Sequence, residues 1–443
     1  MKFPKRYLIV FLLCICTSIC YVERVGFPIA YTVAANAAGV DQSSKGLILS
    51  TYYYGYAISQ IPGGWVAQLI GGRRVLLLSF VLWSTACALV PLDPKRVLHL
   101  VFARLVVGVA QGCIFPSIHT VLARWIPPYE RSRSVSVTMS GMYFGAAAGM
   151  LFLPSLVKYK GPRSVFLAEA ALGAFWSLLW FKYASDPSQL DQQKATAAGF
   201  AETSLPVTNS KENKGVFQKT KVENRGHIAE IPWKRIIFSW PIWAIIVNNF
   251  TFHYALYVLM NWLPTYFEQG LQLRLQDMGS TKMLPYLNMF VFSNIGGVVA
   301  DYLITRRIFS VTRTRKSLNT IGFLIAALAL VALPIFRTST GAVVCSSVSL
   351  GFLALGRAGF AVNHMDVAPR YAGIVMGISN TAGTLAGIVG VGLTGWILES
   401  AKTAHNDLSS QESWKPVFYI PGVLCVFSSV VFLAFSTGER IFD

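Results

Sequence analysis

The sequence predicts an all-α membrane protein of twelve transmembrane helices, arranged as two pseudo-symmetric six-helix halves. Three observations carry this. The first is composition: of 443 residues, 54% are hydrophobic and only 13% are Asp, Glu, Lys or Arg, where a soluble chain has about 25% charged residues. The mean hydropathy of +0.51 agrees. The second is a series of apolar runs of membrane length. The third is an internal echo between the two halves.

A span takes about 20 mainly apolar residues. Twelve stretches qualify: 7–36, 44–68, 73–92, 97–125, 133–158, 163–183, 238–268, 282–305, 316–336, 340–363, 370–399 and 414–436. With the N-terminus in the cytoplasm, the inner segments hold 24 of the 38 Lys and Arg and the outer loops 11. Positive charge concentrates on the cytoplasmic side, so both termini are expected there. Residues 184–232 are rich in Ser, Thr, Gln, Lys and Glu with no apolar period, the composition of a disordered linker. The expected organisation is a first half at 1–183, a cytoplasmic linker at 184–237 and a second half at 238–443.

These features exclude several classes. The net charge of +18 is scattered among apolar runs, not gathered into a nucleic-acid face. The seven cysteines (Cys14, Cys16, Cys20, Cys87, Cys113, Cys345, Cys425) lie in apolar stretches without a CxxC pair and read as small core residues. No GxSxG, HExxH or paired-carboxylate constellation sits on a loop. No enzyme activity, cofactor or metal is expected, and the surrounding partner is the lipid bilayer. The first apolar run is too long for a signal peptide, and no Ser-rich presequence precedes it. An endomembrane is therefore expected, the Golgi first, rather than a plastid.

The halves repeat. Gly63-Gly64-Trp65-Val66-Ala67-Gln68 matches Gly296-Gly297-Val298-Val299-Ala300-Asp301, 233 residues later, each followed by an arginine pair, Arg73-Arg74 and Arg306-Arg307. Ser140, Gly145 and Gly149 in span five match Ser379, Gly383 and Gly387 in span eleven. Repeated membrane halves mark secondary transporters, whose substrate sits between the halves near mid-membrane. The small residues permit close helix approach.

The chain at this point resembles the major facilitator superfamily. Tyr21-Val22-Glu23-Arg24, Gln60-Ile61-Pro62-Gly63-Gly64, the run from Trp125 to Arg133, and the run from Asn363 to Gly373 with Gly377–Thr384 downstream narrow it. They are similar to the anion:cation symporters that include vesicular glutamate carriers, sialin and sodium–phosphate type 1 carriers. The nearest likeness is to the plant phosphate transporter 4, or plant anion transporter, branch. The resemblance implies an anion carrier without catalytic residues, cofactor or nucleic-acid partner.

Charges at membrane depth are costly and usually functional. Arg24 lies deep in span one and must face a polar cavity or a counter-ion; its planar fork suits phosphate or carboxylate oxygens. Glu23 is the one carboxylate expected deep in a span beside the arginines, and a candidate to carry a proton. Arg104, Gly108, Gln111, Phe115 and His119 follow three- and four-residue steps in span four, hence one face. By resemblance, Arg24 binds substrate and Arg104 supports anion recognition. Gln111 stands where proton-driven relatives carry a glutamate. Phe252 stands where glutamate carriers have an arginine, with His253 alongside, which argues against glutamate. Arg357, between Gly356 and Gly359, adds positive potential. His119 is a possible proton shuttle or a core histidine. Glu130, Arg131, Asp301 and Arg370 sit at inner ends and resemble gate-latching charges. Tyr52, Tyr53, Tyr54 and Tyr56 read as packing or interface anchors.

The expected function is a secondary active transporter of inorganic phosphate by alternating access, coupled to protons or sodium. The alternatives are a carrier of a small organic anion such as ascorbate, sialate or a glutamate-like carboxylate, or a transporter-like sensor.

Overall fold

A computed structural model describes residues 4–38, 42–90, 96–185, 231–272, 284–405 and 408–442. Among them all regular structure is helical. The first half holds α1 (Lys5–Ala37), α2 (Gln42–Ile70), α3 (Gly72–Ala88), α4 (Val97–Gly112), α5 (Ile114–Trp125), α6 (Arg131–Lys160) and α7 (Arg163–Tyr183). A short helix, α8 (Trp233–Ile237), lies at the end of the expected linker, whose residues 186–230 fall outside the described ones. The second half holds α9 (Trp240–Thr265), α10 (Leu284–Thr305), α11 (Val311–Ala332), α12 (Ser339–Val367), α13 (Ala372–His405) and α14 (Gln411–Phe435).

With α4 and α5 taken together, the long segments match the twelve expected spans, and ten are long and apolar enough to cross a membrane by length and composition. The other two are α2, enriched in tyrosine, and α3, only 17 residues long. Span four is not continuous. Pro116 has no N–H to offer the Gly112 carbonyl, and the helix breaks at Cys113. Cys113 itself keeps helical angles, φ −76° and ψ −15°, so the two pieces still form one span.

The packing repeats six spans on. In the first half α1 packs on α6, α2 on α4 and α3 on α7; in the second, α9 packs on α13, α10 on α12 and α11 on α14. The repeated glycine pair has the same division of labour in both halves. A Cβ on Gly63 would run into Cys113, and one on Gly296 into Leu355 and Ala358, so the first glycine lets neighbouring helices of its own half touch. A Cβ on Gly64 would meet the Gly373 carbonyl of α13, and one on Gly297 would meet Ser132 and Ser136 of α6. The second glycine thus brings the halves together, on the face where both termini lie.

Candidate functional site

Between the halves lies a small cavity lined by Tyr21, Arg24, Tyr56, Phe115, Met142, His253, Tyr257, Arg357, Met376, Asn380 and Thr384. Helices α1, α2, α5 and α6 form one wall; α9, α12 and α13 form the other. Arg24 donates to the Tyr52 hydroxyl at 2.7 Å and the Tyr21 hydroxyl at 3.3 Å. Its guanidinium lies 4.6 Å from the Tyr21 ring centre and 4.7 Å from that of Tyr56. Arg357, from the opposite half, donates to the Tyr143 hydroxyl at 2.9 Å and stacks over Phe252 at 4.9 Å. Among the described residues neither arginine has a carboxylate partner, and the Nε of each is buried without a hydrogen-bond acceptor. Guanidinium groups with unused donors at one cavity, Arg357 buried and Arg24 partly so, favour an anion between them.

His253 completes the wall. Its Nδ1 lies 2.9 Å from the Asn249 carbonyl, which can only accept, so Nδ1 carries the proton. That leaves Nε2 as the ring's free position. The halves also meet through neutral polar pairs: Asn380 donates to the Tyr56 hydroxyl at 3.0 Å, and Gln60 to Thr384 Oγ1 at 3.0 Å.

Arg104 and Glu23 lie elsewhere. They pair with each other at 2.5 Å, 3% and 0% exposed, with Arg104 stacked over Phe27. Gln111 joins them to the cavity: its Nε2 donates to Glu23 Oε2 at 2.9 Å, and its Oε1 accepts from the Tyr52 hydroxyl at 2.8 Å. The result is one chain of contacts, Arg24–Tyr52–Gln111–Glu23–Arg104. Tyr52 is therefore part of the site and not a packing anchor alone, as is Tyr56; Tyr54, 56% exposed, keeps the surface position expected of it. Glu23 is not alone either. Glu169 of α7 comes close to it inside the same half, correcting the expectation of a single deep carboxylate. The signal was present in the sequence: a glutamate in the middle of an apolar span. His119 is fully buried, neither ring nitrogen has a partner among the described residues, and its ring lies 5.4 Å from that of His364. It is not among the cavity-lining residues.

The face carrying the termini is sealed by a second cluster. Arg131 donates to Asp366 Oδ1 at 3.1 Å and to the Met365 carbonyl at 3.0 Å. Arg315 donates to Asp366 Oδ2 at 2.8 Å and to Ser132 Oγ at 2.6 Å. Asp301 accepts from the backbone N–H groups of Ser132 and Arg133 at 3.0 and 2.8 Å, at the positive end of α6. The contacts of Arg131 with Asp366 and Met365, of Arg315 with Ser132, and of Asp301 with Ser132 and Arg133 cross between the halves, while the Arg315–Asp366 pair lies within the second. Glu130 instead accepts from Arg6 and the Tyr7 hydroxyl, both at 3.0 Å, within the first half. Arg370 is exposed and lies over Tyr371. Sequence reasoning did not single out Arg315 or assign Asp366 a role. Arg315 sat inside a run of basic residues, and its complete burial becomes visible only in the packed structure.

Comparison with known proteins agrees with this architecture. Residues 13–391 match the family model of the Major Facilitator Superfamily. The chain is 69% identical over 447 residues to "Probable anion transporter 7" of Oryza sativa subsp. japonica, covering 100% of this chain and 99% of that one. It is 36% identical over 448 residues to two Arabidopsis thaliana proteins, "Sodium-dependent phosphate transport protein 1, chloroplastic" and "Ascorbate transporter, chloroplastic". It covers 81% and 77% of their lengths, and both alignments span 100% of this chain. Among solved structures, the proton:xylose symporter XylE superposes with a TM-score of 0.68 at 15% identity, covering 98% of both chains. FucP, crystallised in the outward conformation, superposes with a TM-score of 0.67 at 14% identity, covering 98% of this chain and 100% of that one. These two likenesses speak for the fold alone.

Proposed function

The chain belongs to the major facilitator superfamily, a family of transporters, and we propose that it carries a small anion, inorganic phosphate first, by alternating access coupled to a cation. The observation that carries this reading is the pair Arg24 and Arg357: two guanidinium groups, one from each half, at one cavity without carboxylate partners among the described residues. Like charges across a closing interface repel, and the repulsion is strong where water is scarce. An anion seated between them reverses its sign. Loading the site would then draw the halves together, and emptying it would let them part. That is the coupling between binding and rocking that alternating access needs.

Phosphate suits the donors, because a guanidinium fork can grip two of its oxygens at once. The relative named for phosphate transport supports the same choice. The tyrosines Tyr21, Tyr56 and Tyr257 favour the second reading, a small organic anion such as ascorbate, sialate or a glutamate-like carboxylate, and one relative is named for ascorbate.

The division into halves at 1–183 and 238–443, joined by the 184–237 linker, belongs to this reading, as does a cytoplasmic position for both termini. The bias of Lys and Arg supports the orientation. It makes the sealed face the cytoplasmic one. We place the carrier in an endomembrane, the Golgi first. A fluorescent fusion marking chloroplasts would overturn this placement. The test of function is uptake of labelled phosphate, ascorbate, glutamate and sialate into proteoliposomes under imposed proton, sodium and voltage gradients. Phosphate accumulation is expected. Binding without flux would make the chain a sensor.

A further inference from the structure

Glu169 is a carboxyl group that the anion site does not use. It is 1% exposed, and neither of its oxygens has a hydrogen-bond partner among the described residues. It is aimed at α1: a Cβ on Gly26 would collide with Glu169 Oε1. Gly26, one turn beyond Glu23, therefore opens the space that this acid enters. There a Glu169 oxygen, a Glu23 oxygen and the Cys87 sulfur all lie within 4.8 Å of one another.

Among the described residues the charges around this point are few. Glu23 faces it from α1, the Cys87 thiol from α3 and Arg104 from α4, with the neutral amide of Gln111 beyond Glu23. One guanidinium therefore stands against two carboxyl groups. Glu23 is the ionised member, because it accepts from Arg104 at 2.5 Å and from Gln111 at 2.9 Å. A second carboxylate here, 1% exposed and without a partner among the described residues, would be a costly uncompensated buried charge, disfavoured further by repulsion from Glu23. A bound cation removes that cost. A metal ion fits poorly, because both Glu23 oxygens already take donors and a guanidinium stands beside them. A proton fits, because a neutral carboxylic acid needs no second counter-charge.

We propose that Glu169, paired with Glu23, is the proton-binding site of this carrier: Glu169 holds one proton in the state described here and gives it up during the transport cycle. The hydrogen-bonded chain through Gln111 and Tyr52 connects the pair to Arg24. An anion that draws Arg24 away from the Tyr52 hydroxyl frees Tyr52 to turn, which loosens Gln111 and Glu23 in sequence. The proton moves to the opposite side with the anion, one carboxyl group alternating between acid and carboxylate. This rests on the carrier reading above for its transport step, and on the structure alone for the protonation of Glu169.

The test therefore has two arms. Infrared spectra of the full chain in lipid at neutral pH are expected to show the carbonyl stretch of a buried protonated carboxyl group. It should vanish in Glu169→Gln and persist, shifted, in Glu169→Asp. A wild-type protein without the band, or a band unchanged in Glu169→Gln, overturns the proposal. In proteoliposomes, Glu169→Gln should lose at least tenfold of the phosphate accumulation driven by a pH gradient, while exchange of phosphate at equal pH remains measurable and Glu169→Asp restores part of the coupling. Accumulation that still follows the pH gradient in Glu169→Gln, or that follows sodium and not pH in the wild type, overturns it. If the wild type neither accumulates nor exchanges phosphate, the phosphate reading fails, and the infrared arm still decides whether Glu169 holds a proton.

Discussion

Asp366 is the point at which the sealed face is most easily unlocked. Its carboxylate is shared by Arg131 at 3.1 Å and Arg315 at 2.8 Å, and these side chains are 9% and 1% exposed. Asp366→Asn keeps the shape and removes the charge, leaving two guanidinium groups close together in a nearly dry place. Removing one partner from a buried ion pair costs about 3–5 kcal/mol. Of these two pairs, Arg131–Asp366 is the one that joins the two halves, so the cost of losing it falls on the sealed state, in which Arg131 is held away from water. Even about 3 kcal/mol shifts the ratio of sealed to open molecules by roughly a hundredfold. The assay is pulsed electron paramagnetic resonance between spin labels at the exposed positions Arg74 and Arg306, one in each half, in a background lacking the seven native cysteines. The wild type should give one short distance; Asp366→Asn should add a longer population that dominates, and Asp366→Glu should largely restore the short one. An unchanged distribution in Asp366→Asn would refute the latch.

Three further outcomes are expected. Arg24→Lys keeps the positive charge but cannot hold Tyr52 and grip two anion oxygens together; one lost charge-assisted hydrogen bond is about 1.5–3 kcal/mol, so substrate affinity measured by isothermal titration should fall tenfold or more, and near-normal binding would make Arg24 a structural charge. Gly297→Val places methyl groups against Ser132 and Ser136, so the sealed state should be lost in the same spin-label assay while the folded protein still reaches the membrane in normal amount. Gln111→Glu sets an added carboxyl group against Glu23, keeping the bond to Glu23 only while one of the two is protonated, so initial uptake at fixed voltage should be retained at low pH and fall more steeply than the wild type as pH rises.

The fold was legible because its determinants are local or periodic. Apolar length gives the spans, and the doubled Gly-Gly motif gives the repeat before any contact is known. The break at Cys113 was less visible, since a proline in an apolar span also occurs in continuous helices: α1 runs through Pro28 and α14 through Pro416 and Pro421. At the break Gly112 lies against Tyr56 and Ser59 of α2, a tertiary contact that no reading of span four alone contains.

The site was legible in its charges and not in their pairing. Arg24 and Arg357 are both costly at membrane depth, and both were found at the cavity. Arg104 carries the same cost in the sequence, yet its charge is balanced by Glu23 and withdrawn from the cavity. A sequence gives the expense of each buried charge but not which one is cancelled. Glu23 directly precedes Arg24, but neighbours on a helix point about 100° apart. That turn sends the glutamate to Arg104 and leaves the arginine to the cavity. Tyr52 then bridges what the helix has separated, accepting from Arg24 and donating to Gln111. At position 111 this chain has a neutral amide that donates to one neighbour and accepts from the other. Two adjacent residues on one turn thus serve two places, the anion and the buried acid pair, and the link between them passes through a hydroxyl and an amide that carry no charge of their own.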